Sequence, residues 1–110
     1  MITYEDFLKI DIRVGTIISV EPNSNISKPS FILKVDFGNE IGVKKSSAQL
    51  LANYQSTDLI GLQISAVVNF PPKQIANMMS ECLVLDCNGE ANDVILLQPE
   101  HQVKNGAKIG

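Results

Sequence analysis

Lys28, Lys34, Lys44, Lys45 and Lys73 are the cations between Pro22 and Ser80, where the acids are Asp36, Glu40 and Asp58. That span carries a net +2, against −5 for the two ends together and −3 for the whole chain. A basic middle in an acidic frame suits a local anion-binding face, although ordinary solvated lysines give the same count. Lys73 stands out by its context, "NFPPKQIANMMSE". Pro71 and Pro72 cannot donate to a strand ladder, and each biases the residue before it towards extended geometry. Pairing must stop there, so Lys73 is expected on a stiff rim, where a phosphate contact costs less ordering entropy. Met78 and Met79, with Phe70 and Ile75, offer a deformable apolar surface suited to an unfolded polypeptide. The methionines would serve equally as core or dimer filling.

Other chemistry is poorly supplied. His101 is the single histidine, and there is no Ser-His-Asp set and no phosphate-cradling glycine loop. Asp11 and Asp36 are not expected to form a catalytic pair. Cys82 and Cys87 are the two cysteines, too few for a metal site without further ligands, and they read as reduced thiols of a cytosolic protein. The expectation is therefore a binding protein: no enzyme, no metal, no cofactor. "MITYEDFLK" carries acids where a secretory leader needs a basic start and an apolar stretch. No run approaches the roughly 20 apolar residues of a membrane span. Both point to a cytoplasmic protein without membrane insertion.

The elements that must position these side chains are short. With 110 residues, of which 45% are hydrophobic, the chain fits one globular domain over residues 1–110. Thr3 is a plausible N-cap for a helix over "TYEDFLK", with Asp6 three residues on. "IDIRVGTIISV" alternates as a long strand. One parity holds Ile10, Ile12, Val14, Thr16, Ile18 and Val20, and the other holds Asp11, Arg13, Gly15, Ile17 and Ser19. Gly15 marks a bend or bulge such as a small barrel needs. In "FILKVDFG", Phe31, Leu33, Val35 and Phe37 share the inward face and Lys34 points out. Gly38 serves the tight connection to "IGVKKSS". There Lys44 falls on the polar parity, and Lys45 calls for a bulge or strand end. "SAQLLANY" predicts a helix capped by Ser46 or Ser47. "QISAVVNF" and "ECLVLDC" are the fourth and fifth strands, and "VILLQP" adds a further short strand beyond them. Three strands, a helix and two more strands is the order of an all-β, five-stranded OB-fold, a Greek-key barrel that binds oligomeric ligands on the face of its second and third strands. Alternation places Arg13, Lys34 and Lys44 on one surface of it, with Tyr54 and Phe70 as the nearby aromatics for base stacking.

In their order and spacing, "DIRVG", "VDFG", "KKSSAQL", "LIGLQISAVVNFPPKQI", "MSECLVL" and "LLQPEHQVKNGAKIG" resemble the stand-alone tRNA-binding-domain family. Within it they are most similar to the CsaA branch of chaperones of protein secretion. The resemblance runs from Phe7 to Gly110. It implies an OB-fold, a homodimer built through the terminal extensions, and recognition of tRNA by structure rather than sequence. For the CsaA branch it also implies binding of unfolded or precursor polypeptides and work with the secretion machinery. It carries RNA binding onto Arg13, Lys34, Lys44, Ser46, Asn69, Lys73 and Ser80, with Lys45 beside them. Shape and backbone recognition of folded RNA fits a chain with so few aromatics.

Overall fold

A computed structural model describes residues 1–23, 30–49, 54–75, 77–90 and 93–110. Helix α1 (Tyr4–Leu8) starts as its sequence predicts. Thr3 Oγ1 accepts from the Asp6 amide at 3.2 Å and Asp6 Oδ2 accepts from the Thr3 amide at 2.9 Å, a reciprocal capping box. Strand β1 (Ile12–Asn23) then runs through the whole sheet. Its first half pairs antiparallel with β4 (Gln63–Val67), and its second half pairs with β2 (Ser30–Asp36), which in turn pairs with β3 (Val43–Ala48). Helix α2 (Ser56–Leu59) lies between β3 and β4. The hairpin of β5 (Lys73–Ile75) and β6 (Met78–Ser80) leads to β7 (Leu83–Val84), which pairs with β4. A second hairpin joins β8 (Asp86–Asn88) and β9 (Val94–Leu96). The five-stranded sheet, in the order β3-β2-β1-β4-β7, curls into the half-barrel of an OB-fold.

The core follows from β2, where Phe31, Leu33 and Val35, continued by Phe37, are buried as their alternation predicts. Around them pack Ile17, Leu59, Ile64, Ala66, Cys82, Val84 and Leu96. The β1 parity is different from the expected one. Ile17 is fully buried and Ile18 is 47% exposed, because the register with β2 shifts between Ile17 and Ser19. Ile17 itself still stands opposite Val35 of β2, and its backbone groups turn to the other side of β1. Its amide donates to Leu62 O at 2.9 Å and its carbonyl accepts from the Gly61 amide at 2.8 Å, which seats the turn after α2 on the barrel. Gly15 sits next to the bulge rather than in it. A Cβ there would lie 2.6 Å from Val35 Cγ1 and 2.7 Å from the Phe37 ring, so glycine is required for the sheet to close on itself. Val14 is buried on the opposite face, where the C-terminal segment runs beside β1. The Val14 amide donates to Ala107 O, and the Ile109 amide donates to Ile12 O.

Two other expectations are corrected. Ser46 and Ser47 cap no helix, because β3 continues regularly through Ala48; Leu50, Leu51 and the rest of 50–53 lie outside the described residues. Lys45 needs no bulge, since β3 keeps an unbroken register with β2. Gly38 does take positive φ, at 88°, in the connection before β3.

Candidate nucleic-acid interface

Register decides which lysines face solvent. Lys34 is directly opposite Lys45 in β3 and Ser19 in β1, and all three point away from the core. Both lysines are exposed, and neither forms a salt bridge among the described residues. Like charges directly across a strand pair repel. Lys44 is opposite the buried Val35, so it lies half-buried on the core side, contrary to the expected parity. Its charge acts on Cys82, whose thiol burial pushes up to about 11 against the partial opposition of Lys44 and a hydrogen bond with Ser46.

The free edge of β3 is closed by the segment after β6. The Glu81 amide donates to Lys45 O at 2.7 Å, the Lys45 amide donates to Glu81 Oε1 at 2.9 Å, and the Ser47 amide donates to Ser80 Oγ at 3.3 Å. Ser80 and Glu81 thus close the barrel with side chains where a ladder is missing. Beside this seam lies a cleft of about 550 Å³. Ser46, Lys73 and Ser80 line it, as do Phe70 and Ile75, so candidates for both ligand classes meet there. Sequence reasoning had not placed Leu83, Val84 or Asp86 on its wall; their spacing carried no signal, because β7 and β8 are too short to show alternation.

The remaining candidates lie elsewhere or are engaged. Arg13 lines a separate cleft of about 540 Å³ with Phe37, Glu40 and Lys104. Its Nε meets Asp11 Oδ1 at 2.6 Å, one terminal nitrogen donates to Gly106 O at 3.0 Å, and its side chain is 18% exposed. The hydrogen bond to Asp11 holds the guanidinium's pKa up, so Arg13 keeps its charge and is ion-paired with Asp11. Asn69 spends its amide on the chain before β1, accepting from the Asp11 amide at 2.9 Å and donating to Lys9 O at 2.8 Å. Met78 is buried, whereas Met79 is 42% exposed, and neither lines the cleft. Tyr54 is packed against the core and its hydroxyl accepts from the Leu96 amide, which removes it as a stacking platform; Phe70 remains 51% exposed. Lys28 lies outside the described residues. The structure therefore divides the expected single surface of Arg13, Lys34 and Lys44 into three environments.

A family model described as "Putative tRNA binding domain" matches residues 12–108. The chaperone CsaA from Bacillus anthracis str. Ames superposes with a TM-score of 0.94 at 50% identity, over 100% of this chain and 99% of that one. The CsaA chaperone protein from Picrophilus torridus gives 0.93 at 52%, over 100% of both chains. The methionine–tRNA ligases of Thermococcus onnurineus and Methanococcoides burtonii are 35% and 37% identical over 98% and 99% of this chain. The chain spans only 14% and 16% of the length of those two ligases. With the fold and nearly the whole length in agreement, the chain belongs to the tRNA-binding-domain family.

Proposed function

We propose that this tRNA-binding-domain protein holds structured RNA on the outer face of β2 and β3, with the cleft at Lys73 as the continuation of that face. The observation that carries the reading is Lys34 standing opposite Lys45 with no salt bridge to either ammonium among the described residues. Such a pair gains stability when a phosphate lies between its members. Ser46, Ser80 and Lys73 border the same seam; Lys44 adds its charge from the core side. Arg13 and Asn69 act indirectly, by fixing the chain on either side of β1. The protein works by binding rather than catalysis, in the cytoplasm and without a cofactor. Among the described residues no helix is long and apolar enough to cross a membrane.

The test is tRNA affinity against salt, for the natural chain and for Lys34→Glu with Lys45→Glu. Each phosphate neutralised contributes about 0.7–0.9 to the log–log slope, so the double variant should lose roughly 1.4–1.8 of it. A salt-insensitive affinity in the natural chain would remove the reading.

A second reading is favoured by the apolar walls of the cleft and by the likeness to the CsaA chaperones. Phe70 and Ile75 would hold an apolar stretch of an unfolded or precursor polypeptide, with Met78 and Met79 on the strand paired with Ile75, on the way to the secretion machinery. Suppression of client aggregation, lost on Phe70→Ala, would support it. Either function would be doubled in a homodimer. Met1, Ile2, Tyr4 and Leu8 at one end and Val103 and Ile109 at the other are exposed apolar residues, and Phe7 touches Gly110, which brings the two ends together. Light scattering that gives a monomer at micromolar concentration would contradict the dimer.

A further inference from the structure

We propose that Asn88 is a site of spontaneous covalent modification, where the side-chain amide is lost and aspartate and isoaspartate form. The chain holds two Asn-Gly dipeptides, Asn88-Gly89 and Asn105-Gly106. Glycine has no Cβ to shield its backbone nitrogen, so an asparagine before it is open to attack by that nitrogen. The glycine nitrogen bonds to the asparagine Cγ, the Cγ–Nδ2 bond breaks, and ammonia leaves with the amide proton. Water then opens the cyclic imide. Cleavage at Cγ gives aspartate, and cleavage at the main-chain carbonyl carbon gives isoaspartate. Nothing is oxidised or reduced, and water is the only co-reactant.

The fold treats the two dipeptides differently. Asn105 Oδ1 accepts from Thr16 Oγ1 at 2.7 Å and from Gln63 Nε2 at 3.2 Å, which pins the carboxamide. The Gly106 amide donates to Val14 O at 2.7 Å within the seam that joins the C-terminal segment to β1, and the Gly106 carbonyl accepts from Arg13. Asn88 is exposed, and its side chain makes no hydrogen bond among the described residues. Gly89 is exposed as well, and its amide donates to Asp93 O at 2.7 Å. That bond extends the β8–β9 hairpin, which has three residues in each strand. The Leu96 end of the hairpin is anchored by burial and by the Tyr54 hydroxyl, whereas the Gly89 end is exposed. A short two-stranded hairpin is marginal by itself, so its exposed end opens at little cost and frees the nitrogen. Alternation puts Asn88 on the face of β8 that carries Asp86, which lines the cleft. The product therefore adds a carboxylate beside an acidic wall. As isoaspartate it also adds a backbone atom, which breaks the pairing of Asn88 with Val94.

The experiment incubates the full folded chain in mildly alkaline buffer and follows both dipeptides by peptide mass spectrometry. Methyl-transfer labelling marks isoaspartate, and ion exchange of the whole protein reads the added negative charge. Asn88 should convert first. The two side-chain hydrogen bonds that must open should hold Asn105 back by roughly 5- to 150-fold. In urea the two rates should converge, because only the fold separates the dipeptides. Thr16→Val, which removes one of the two bonds, should speed Asn105 by about 2- to 12-fold and leave Asn88 unchanged. Asn88→Gln should abolish the early acidic species; the position is exposed, so this variant should fold, and circular dichroism verifies this. Equal rates in the folded chain, or Asn105 ahead of Asn88, overturn the proposal. So does an Asn88 that converts only in urea, or an early acidic species that survives Asn88→Gln.

Discussion

Gly15→Ala tests the geometry that closes the barrel. The added methyl would meet Val35 Cγ1 at 2.6 Å and two atoms of the Phe37 ring at 2.7 and 2.8 Å. Real Cβ atoms do not approach so closely, so something must move. Val35 is fully buried and Phe37 is 1% exposed, so neither can swing into solvent. The φ of Gly15 is not positive, so the penalty is steric rather than a backbone strain. Forcing one methyl into a packed core costs about 1–3 kcal/mol. At roughly 4–8 °C per kcal/mol for a domain near this size, Tm should fall by about 4 to 24 °C. Urea unfolding followed by far-ultraviolet circular dichroism measures the loss directly; the chain has no tryptophan to report it by fluorescence. The cycle with Val35→Ala is diagnostic. Removing Cγ1 should relieve part of the clash, so the two substitutions should be less harmful together than their sum by about 0.5 kcal/mol or more. A Gly15→Ala loss below about 0.5 kcal/mol, of the size usual for surface positions, or strict additivity with Val35→Ala, would refute the argument.

The two thiols should differ sharply. Cys87 is exposed and should react with a thiol reagent in the folded protein, whereas Cys82 should react only after unfolding. The raised Cys82 pKa keeps its proton in the folded state, so its contribution is fully present below the ordinary value of 9.0 and is lost as pH rises towards about 11; the urea midpoint should fall across that window. Gln63→Ala should free the C-terminal segment. The Gln63 side chain donates to Val103 O at 2.6 Å and accepts from the Val103 amide at 3.0 Å, so the loss should be about 1–3 kcal/mol, with faster hydrogen exchange at Val103. Asp6 is held below its ordinary 3.8, first by the Thr3 backbone amide and then by the Thr3 hydroxyl. Its stabilisation is present above 3.8 and lost as pH falls through the lower folded value, and Thr3→Ala should move the carboxyl titration, followed by NMR, back towards 3.8.

The β2 core stripe and the α1 capping box were legible because each is a local pattern: alternation for Phe31, Leu33, Val35 and Phe37, and a three-residue spacing for Thr3 and Asp6. The faces of β1 were not legible. The outer edge of its first half is paired by the C-terminal segment, and one extra residue at Ile18 then flips the sense of everything after it. Lys44 and Lys45 were exchanged for a similar reason. A half-buried lysine on the core side breaks the binary pattern, and only the register with β2 shows which neighbour points out. The cleft was half legible. Pro-Pro announced the rim and Lys73, but Asp86 and Leu83 reach it through strands of two and three residues. Arg13 and Asn69 carry the polar types of a binding face, yet both are engaged by long-range partners that no local window contains.

β1 also sets an order of assembly. Its second half finds β2 a few residues downstream, and β3 follows at once, so this meander can zip while the rest of the chain is still being synthesised. The first half must wait for β4: Val14 pairs with Ser65, half the chain away, and its outer edge waits longer still, for Ala107. Until then Ile12 and Val14 sit on a bare ribbon able to template another chain. Slow translation between β3 and β4 should therefore raise losses to aggregation, while a pause after β4 should not.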